Sequence, residues 1–234
     1  GDMAGARAFA EKRNLLRNPA IAEQIRLATE RPMRVTLSGA VELSYAQDGF
    51  TQYLPGAPAR LNGRPTVVRF DTGGSFVHMT RSQAASFGVS YAGCERSFAA
   101  LQYGEVCYGV ADLQLGEARI ENVMVSVHPD DTFPTIQIAQ AFGVEMGPII
   151  GTNVFAQFLT SFDASGQRLI LSPRDDPDAR RRHEGLISGT GSPVEVPFGV
   201  IGSHYLIARG LLGNETAIFF IDSGVAAMNR DQGQ

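Results

Sequence analysis

The spacing of apolar positions changes once along the chain, near Pro32. Before it, Ala6, Phe9, Ala10, Leu15, Leu16, Ile21, Ile25 and Leu27 recur at roughly helical intervals. That spacing predicts an amphipathic arm over residues 4–31, broken at Asn18-Pro19 because proline lacks the amide that a continuous helix needs. After Pro32 the period falls towards two. Met33–Leu37, Val41–Tyr45, Val110–Leu115 and Ile120–Val127 alternate as half-buried strands do. Thr80 to Gly88 predicts a short helix, capped by the threonine and stopped by the glycine. Another is expected over residues 152–159, followed by a strand-turn-strand over 162–171. Residues 173–193 are dense in charge, show no apolar face and end in small residues, which predicts a linker. The β pattern resumes at Val194. The expected organisation is mostly β: a helical arm (1–31), a main lobe (32–172), a linker (173–193) and the start of a second, similar lobe (194–234).

An internal repeat underlies that last expectation. Leu61 to Phe70 lies over Leu212 to Ile221 at a constant offset of 151, without a gap. Each copy reads as a strand, a two-residue turn (Asn62-Gly63, Gly213-Asn214) and a second strand. Asn-Gly suits a tight hairpin because both central residues need positive φ. Each second strand ends in an acid, a small hydroxyl residue and a glycine: Asp71-Thr72-Gly73 and Asp222-Ser223-Gly224. Two carboxylates brought together at paired strand ends share one proton, so one can act as a base on water while the other donates to a carbonyl. Glycine permits close approach of the loops, and Thr72 or Ser223 can brace the facing backbone.

Composition narrows the alternatives. A net charge of −4 with 44% hydrophobic and 19% charged residues is that of a globular chain and gives no sign of a nucleic-acid surface. No apolar run approaches the ~18 residues needed to span a bilayer. Cys94 and Cys107 lack a Cys-x-x-Cys pattern or a neighbouring histidine, so no metal site is expected. They read as a disulfide bracing a hairpin or as two small buried hydrophobes. His78, His128, His183 and His204 have no partner at ligand or triad spacing and read as structural or surface residues.

Asp71-Thr72-Gly73-Gly74-Ser75 resembles the catalytic loop of aspartic proteases, above all the bacterial retropepsin-like group. Ile149-Ile150-Gly151 sits where that family has its hydrophobic-hydrophobic-glycine motif. The region from Ala99 to Gly116, with Tyr103-Gly104 at its tip, sits where the family has its substrate-covering flap. Gly74 and Val225 depart from the small Ala or Ser often found at those positions. The resemblance is good over residues 52–172 and restarts near 194. It implies a closed barrel lobe of the acid-protease type, catalytic Asp71 and Asp222, supporting roles for Thr72, Gly73, Ser75, Ser223 and Gly224, and substrate contacts from Tyr103 and Gly104. It further implies a polypeptide substrate and no cofactor. The alternative is a non-catalytic, protease-like module that binds peptides or acts as a scaffold.

Family members obtain two aspartates by dimerising one lobe or by fusing two. The in-phase repeat favours Asp222 folding back on Asp71, whereas the short stretch after Asp222 weighs against it and towards low activity or a homodimer that pairs Asp71 with its own copy, so the sequence leaves both arrangements open. The opening residues do not pattern as a secretory signal. A disulfide across the flap root would fit an exported protein, periplasmic or extracellular; otherwise a cytoplasmic one is expected.

Overall fold

The computed structural model describes residues 3–96, 104–131, 134–187 and 194–224. The arm forms two helices, α1 (Met3–Lys12) and α2 (Pro19–Glu30), separated by a single 3-10 turn at Leu15–Arg17. Asn18 caps α2: its Oδ1 accepts the amides of Ala20 and Ile21, and Pro19 occupies the first turn, where no amide is missed.

The body is built from β1 (Arg34–Thr36), β2 (Val41–Ser44), β3 (Gly56–Leu61), β4 (Arg64–Asp71), β5 (Val77–Thr80), α3 (Arg81–Phe87), β6 (Tyr91–Arg96), β7 (Glu105–Leu115) and β8 (Ala118–His128). There follow α4 (Pro134–Ala141), β9 (Ile149–Gly151), α5 (Thr152–Phe155), β10 (Leu159–Asp163) and β11 (Arg168–Ser172). Strand order β8-β5-β9-β4-β3-β7 closes on itself because β7 also pairs β8, giving a six-strand barrel with β1 and β6 on its margins. Closure removes the unpaired strand edges that an open sheet would leave. Val68, Phe70, Val77, Met79, Val125, Val127, Ile150 and Leu169 fill the core.

Local chemistry explains the joints. Asn62 and Gly63 both adopt positive φ, 47° and 76°, so β3 and β4 turn tightly in register from Leu61↔Arg64. Thr80 and Gln83 form a capping box at the start of α3, and Gly88 ends it in the left-handed region. The charged stretch after β11 carries a helix, α6 (Pro177–Ile187), that composition did not reveal. Ala179 and His183, one turn apart, are buried, and His183 bridges the hydroxyls of Ser161 and Ser172.

The remaining sheet comprises β12 (Phe198–Ile201), β13 (Tyr205–Leu212) and β14 (Glu215–Phe220). The hairpin β13–β14 turns at Leu212↔Glu215, one offset of 151 from Leu61↔Arg64. Its surroundings differ. Leu61 and Val68 are fully buried, whereas Leu212 is 71% and Phe219 40% exposed.

Helix α2 lies against β6 and β7. Leu27 packs with Val110 and Met124, and Asn18 Nδ2 donates to Glu95 Oε2 at 2.5 Å. Gly93 lets the helix come close, since a β-carbon there would press into Glu23 and the Pro19 carbonyl. Strands β6 and β7 are also tied by a disulfide between Cys94 and Cys107, whose Cα atoms are 4.0 Å apart. Linking residues thirteen positions apart removes unfolded-chain entropy worth about 3 kcal/mol. Reduction should therefore lower the unfolding midpoint by several degrees. Thiol titration of the unfolded, unreduced chain should find no free thiol; two would rule the bridge out.

Candidate active site

Strand β4 delivers Asp71 to the end of the barrel because its apolar residues, Val68 and Phe70, are anchored in the core just before it. Parallel pairing with β9 sets Asp71 opposite Gly151. The loop that follows is held by backbone donors from the start of α5. Thr152 N donates to Gly74 O (3.0 Å), Asn153 N to Ser75 O (2.8 Å) and Gly151 N to Phe76 O (2.6 Å). Glycine at 151 is required by this approach: a β-carbon would lie 2.7 Å from the Ser75 carbonyl oxygen and closer still to the Gly74 carbonyl.

The end of β14 brings Asp222 to the same place. Thr72 N donates to Ser223 Oγ (3.0 Å) and Ser223 N donates to Thr72 Oγ1 (2.9 Å). Thr72 Oγ1 in turn donates to the Ile221 carbonyl (3.1 Å). Each acid also folds over its own loop: Asp71 Oδ1 accepts from Gly73 N and Asp222 Oδ1 from Gly224 N, both at 2.8 Å. Each carboxyl group faces the other loop, that of Asp222 against Gly73 and that of Asp71 against Gly224. A β-carbon on Gly73 would lie 2.6 Å from the Asp222 carboxylate, and one on Gly224 would strike that of Asp71, so neither loop tolerates a side chain there.

The two acid loops meet within one chain, the arrangement that the repeat favours. The reason is physical: reciprocal hydroxyl-to-backbone bonds at Thr72 and Ser223 hold the loops together directly.

Burial pushes the Asp71 carboxyl well above the usual carboxylate range, and the hydrogen bond and charge of Asp222 push it further. The Gly73 and Gly74 amides pull the other way and are outweighed. A carboxyl that holds its proton beside one within hydrogen-bonding reach is suited to acid–base work on a water placed between them.

Other sequence-predicted residues fall less centrally. The Ser75 hydroxyl, expected to support Asp71, lies 3.4 Å from His78 Nε2. Gly104 is described and exposed, with φ of 67°, near Pro129, while Tyr103 lies outside the described residues. Cys94, Cys107 and Glu105 cluster closely, but the disulfide leaves no thiolate to hold a metal there. Sequence reading missed His78, whose imidazole touches the Asp71 loop. The available signal was the i, i+2 placement of Ser126 and His128 on one face of β8. The pairing of β8 with β5, which completes the cluster, is tertiary.

Residues 57–154 match a family model described as aspartyl protease. That span runs from β3 into α5 and includes Asp71 and the Ile149-Ile150-Gly151 motif. Among solved structures, the chain is similar to a retropepsin-like aspartic protease from Rickettsia conorii, at 16% identity and a TM-score of 0.39, over 60% of this chain and 92% of that one. It is also similar to the retroviral protease-like domain of Ddi1 from Leishmania major, at 15% identity and a TM-score of 0.34, over 58% of this chain and 98% of that one. No curated protein matches. The family match agrees with the resemblance read from the sequence.

Proposed function

We propose that this chain is an aspartic endopeptidase in which Asp71 and Asp222 form the catalytic pair. The observation that carries this reading is the reciprocal Thr72–Ser223 exchange, which sets the two acid loops face to face with each carboxyl group against the other loop's glycine. One proton is shared, and Asp71 retains it. The ionised Asp222 takes a proton from a bound water as the water oxygen attacks the scissile carbonyl carbon. Asp71 gives its proton to the carbonyl oxygen, producing a neutral tetrahedral diol. Collapse breaks the C–N bond: Asp222 returns its proton to the leaving nitrogen, and a hydroxyl proton passes back to Asp71. No covalent intermediate forms, and one water is consumed per bond.

The substrate is an extended polypeptide lying beside the β6–β7 hairpin, which acts as the flap and offers strand-type backbone bonds. Because the acids come from one chain, activity per milligram should not depend on concentration.

The test is digestion of an unstructured peptide library across pH. A pair sharing one proton works between its two apparent titrations, so the rate should be bell-shaped with its maximum on the acid side of neutrality. A rate rising steadily to about pH 9 would point to a metal-bound or thiolate nucleophile and overturn the reading. Peptide binding without cleavage at any pH would favour the protease-like scaffold.

A further inference from the structure

Behind the Asp71 loop lies a side-chain cluster that the reaction above does not use. His78 stands on β5, with Ser126 of β8 on one side and Ile149 of β9 on the other. Its Nε2 lies 3.1 Å from the Ser75 backbone nitrogen. The ring packs flush on Gly74, where a β-carbon would meet Nε2 at 3.1 Å and Cδ2 at 3.2 Å. Its Nδ1 is 2.7 Å from Ser126 Oγ and 3.3 Å from His128 Nε2, and Ser126 Oγ is 3.0 Å from His128 Nε2.

We infer that His78 is a positioning residue for the catalytic loop: its imidazole, bare at Nε2, accepts the Ser75 amide proton and fixes the loop that carries Asp71. The inference rests on the protease reading for its catalytic consequence. Its structural content stands on bond direction alone. A backbone N–H can only donate, so the nitrogen facing it must be the unprotonated one. A neutral imidazole then carries its proton on Nδ1 and donates it to Ser126 Oγ. The Ser126 hydroxyl is left to donate to His128 Nε2, and every short contact pairs a donor with an acceptor.

The placement matters because the amides of Thr72 and Gly73 are held at the start of the loop, whereas around Ser75 the α5 donors reach only the carbonyl side. Thr152 N and Asn153 N grip the Gly74 and Ser75 carbonyls, and His78 grips the Ser75 amide between them. Gly73, whose amide binds Asp71 Oδ1, is two residues away. Burial, with the neighbouring His128 and His204, pushes His78 down to about 3. The ring therefore stays an acceptor in the mildly acidic range where a shared-proton dyad operates. A protonated ring would set an N–H against an N–H and release the loop.

Two substitutions separate positioning from filling space. In His78→Gln the amide oxygen can reach the Nε2 position and accept the same proton; in His78→Leu nothing can. A misplacement of about 1 Å in a catalytic group costs on the order of 100-fold. His78→Leu should accordingly lower kcat roughly 10- to 100-fold with KM within about threefold, and His78→Gln should recover most of it. A Gln variant as slow as the Leu variant, or a loss confined to KM, overturns the inference. Nitrogen NMR of the wild-type histidines gives a readout independent of turnover. A bare Nε2 on His78 is expected, and a proton there overturns the inference. If the wild-type chain cleaves nothing, the protease reading alone fails. Slow hydrogen exchange at the Ser75 amide, lost in His78→Leu and kept in His78→Gln, would still carry the positioning claim. Equal exchange in all three proteins would overturn it.

Discussion

Asp71→Asn and Asp222→Asn should each lower kcat on a cleavable peptide by roughly 100- to 10,000-fold while leaving KM nearly unchanged. Asparagine keeps the shape of the carboxyl and can still accept the Gly73 or Gly224 amide, so the loops stay closed. It cannot take a proton from water or share one with its partner. The two losses should not multiply in the double variant, because the acids act as one unit. Stability gives an internal control. The Asp71 carboxyl titrates higher in the folded chain than unfolded, so its ionisation opposes folding as pH rises through the folded value. Asp71→Asn should therefore be at least as stable as the wild type at neutral pH. An Asp222→Asn variant with full activity would show that the intrachain pair is not the catalyst; a concentration-dependent rate in that variant would turn attention to a pair of Asp71 residues from two chains.

The largest expected effect on stability lies two residues before Asp71. Arg69 is fully buried, and its guanidinium is held by Asp48 (2.7 Å from Nη2), Thr51 Oγ1 (3.1 Å) and the Leu54 carbonyl (3.3 Å), above the Phe50 ring. Asp48 also accepts the amides of Phe50 and Thr51, so one carboxylate organises the loop that leads into β3. Removing it strands a buried cation. Asp48→Ala should cost about 3–5 kcal/mol, lowering the melting temperature by roughly 10 °C for a chain of this size. Replacing both partners, Asp48→Leu with Arg69→Met, should cost far less, because no unpaired charge remains. The pair also predicts an acid limit. Burial alone would raise the Asp48 carboxyl, but the Arg69 and Thr51 hydrogen bonds and the Arg69 charge outweigh it and hold it below its ordinary value. Its contribution is thus complete above the unfolded titration near pH 3.9 and disappears as pH falls through the lower folded value. A shift under about 2 °C for Asp48→Ala would mean the pair contributes little to stability.

How much of this was legible in the sequence depended on the range of the interaction responsible. Asn62-Gly63, the capping box of Thr80 and Gln83, the Asn18 cap and the alternating strands are local. Each is decided by dihedral preference, hydrogen bonds a few residues apart or side-chain period. The acid at the end of β4 and its counterpart after β14 were likewise visible, because a repeat in register copies position as well as composition. Helix α6 was hidden because its buried stripe, among the described side chains, is Ala179 and His183, and His183 finds its partners on distant strands, at Ser161 and Ser172.

What tertiary structure alone decided is which residues meet across that distance. The same hairpin is core in one copy and exposed in the other, since β3–β4 is flanked by β7 and β9 while β13–β14 pairs with β12 alone among the described residues. That Asp222 reaches Asp71 within one chain rests on bonds between Thr72 and Ser223, residues whose spacing in sequence says nothing about their separation in space. His78 belongs with Ser75, Ser126 and His128 because β5 runs parallel to β8 and the Asp71 loop folds back over it. Periodicity fixes which face of an element is apolar; it carries no term for the partner that face will find, and it is partners that make a carboxylate hold a proton or an imidazole accept one.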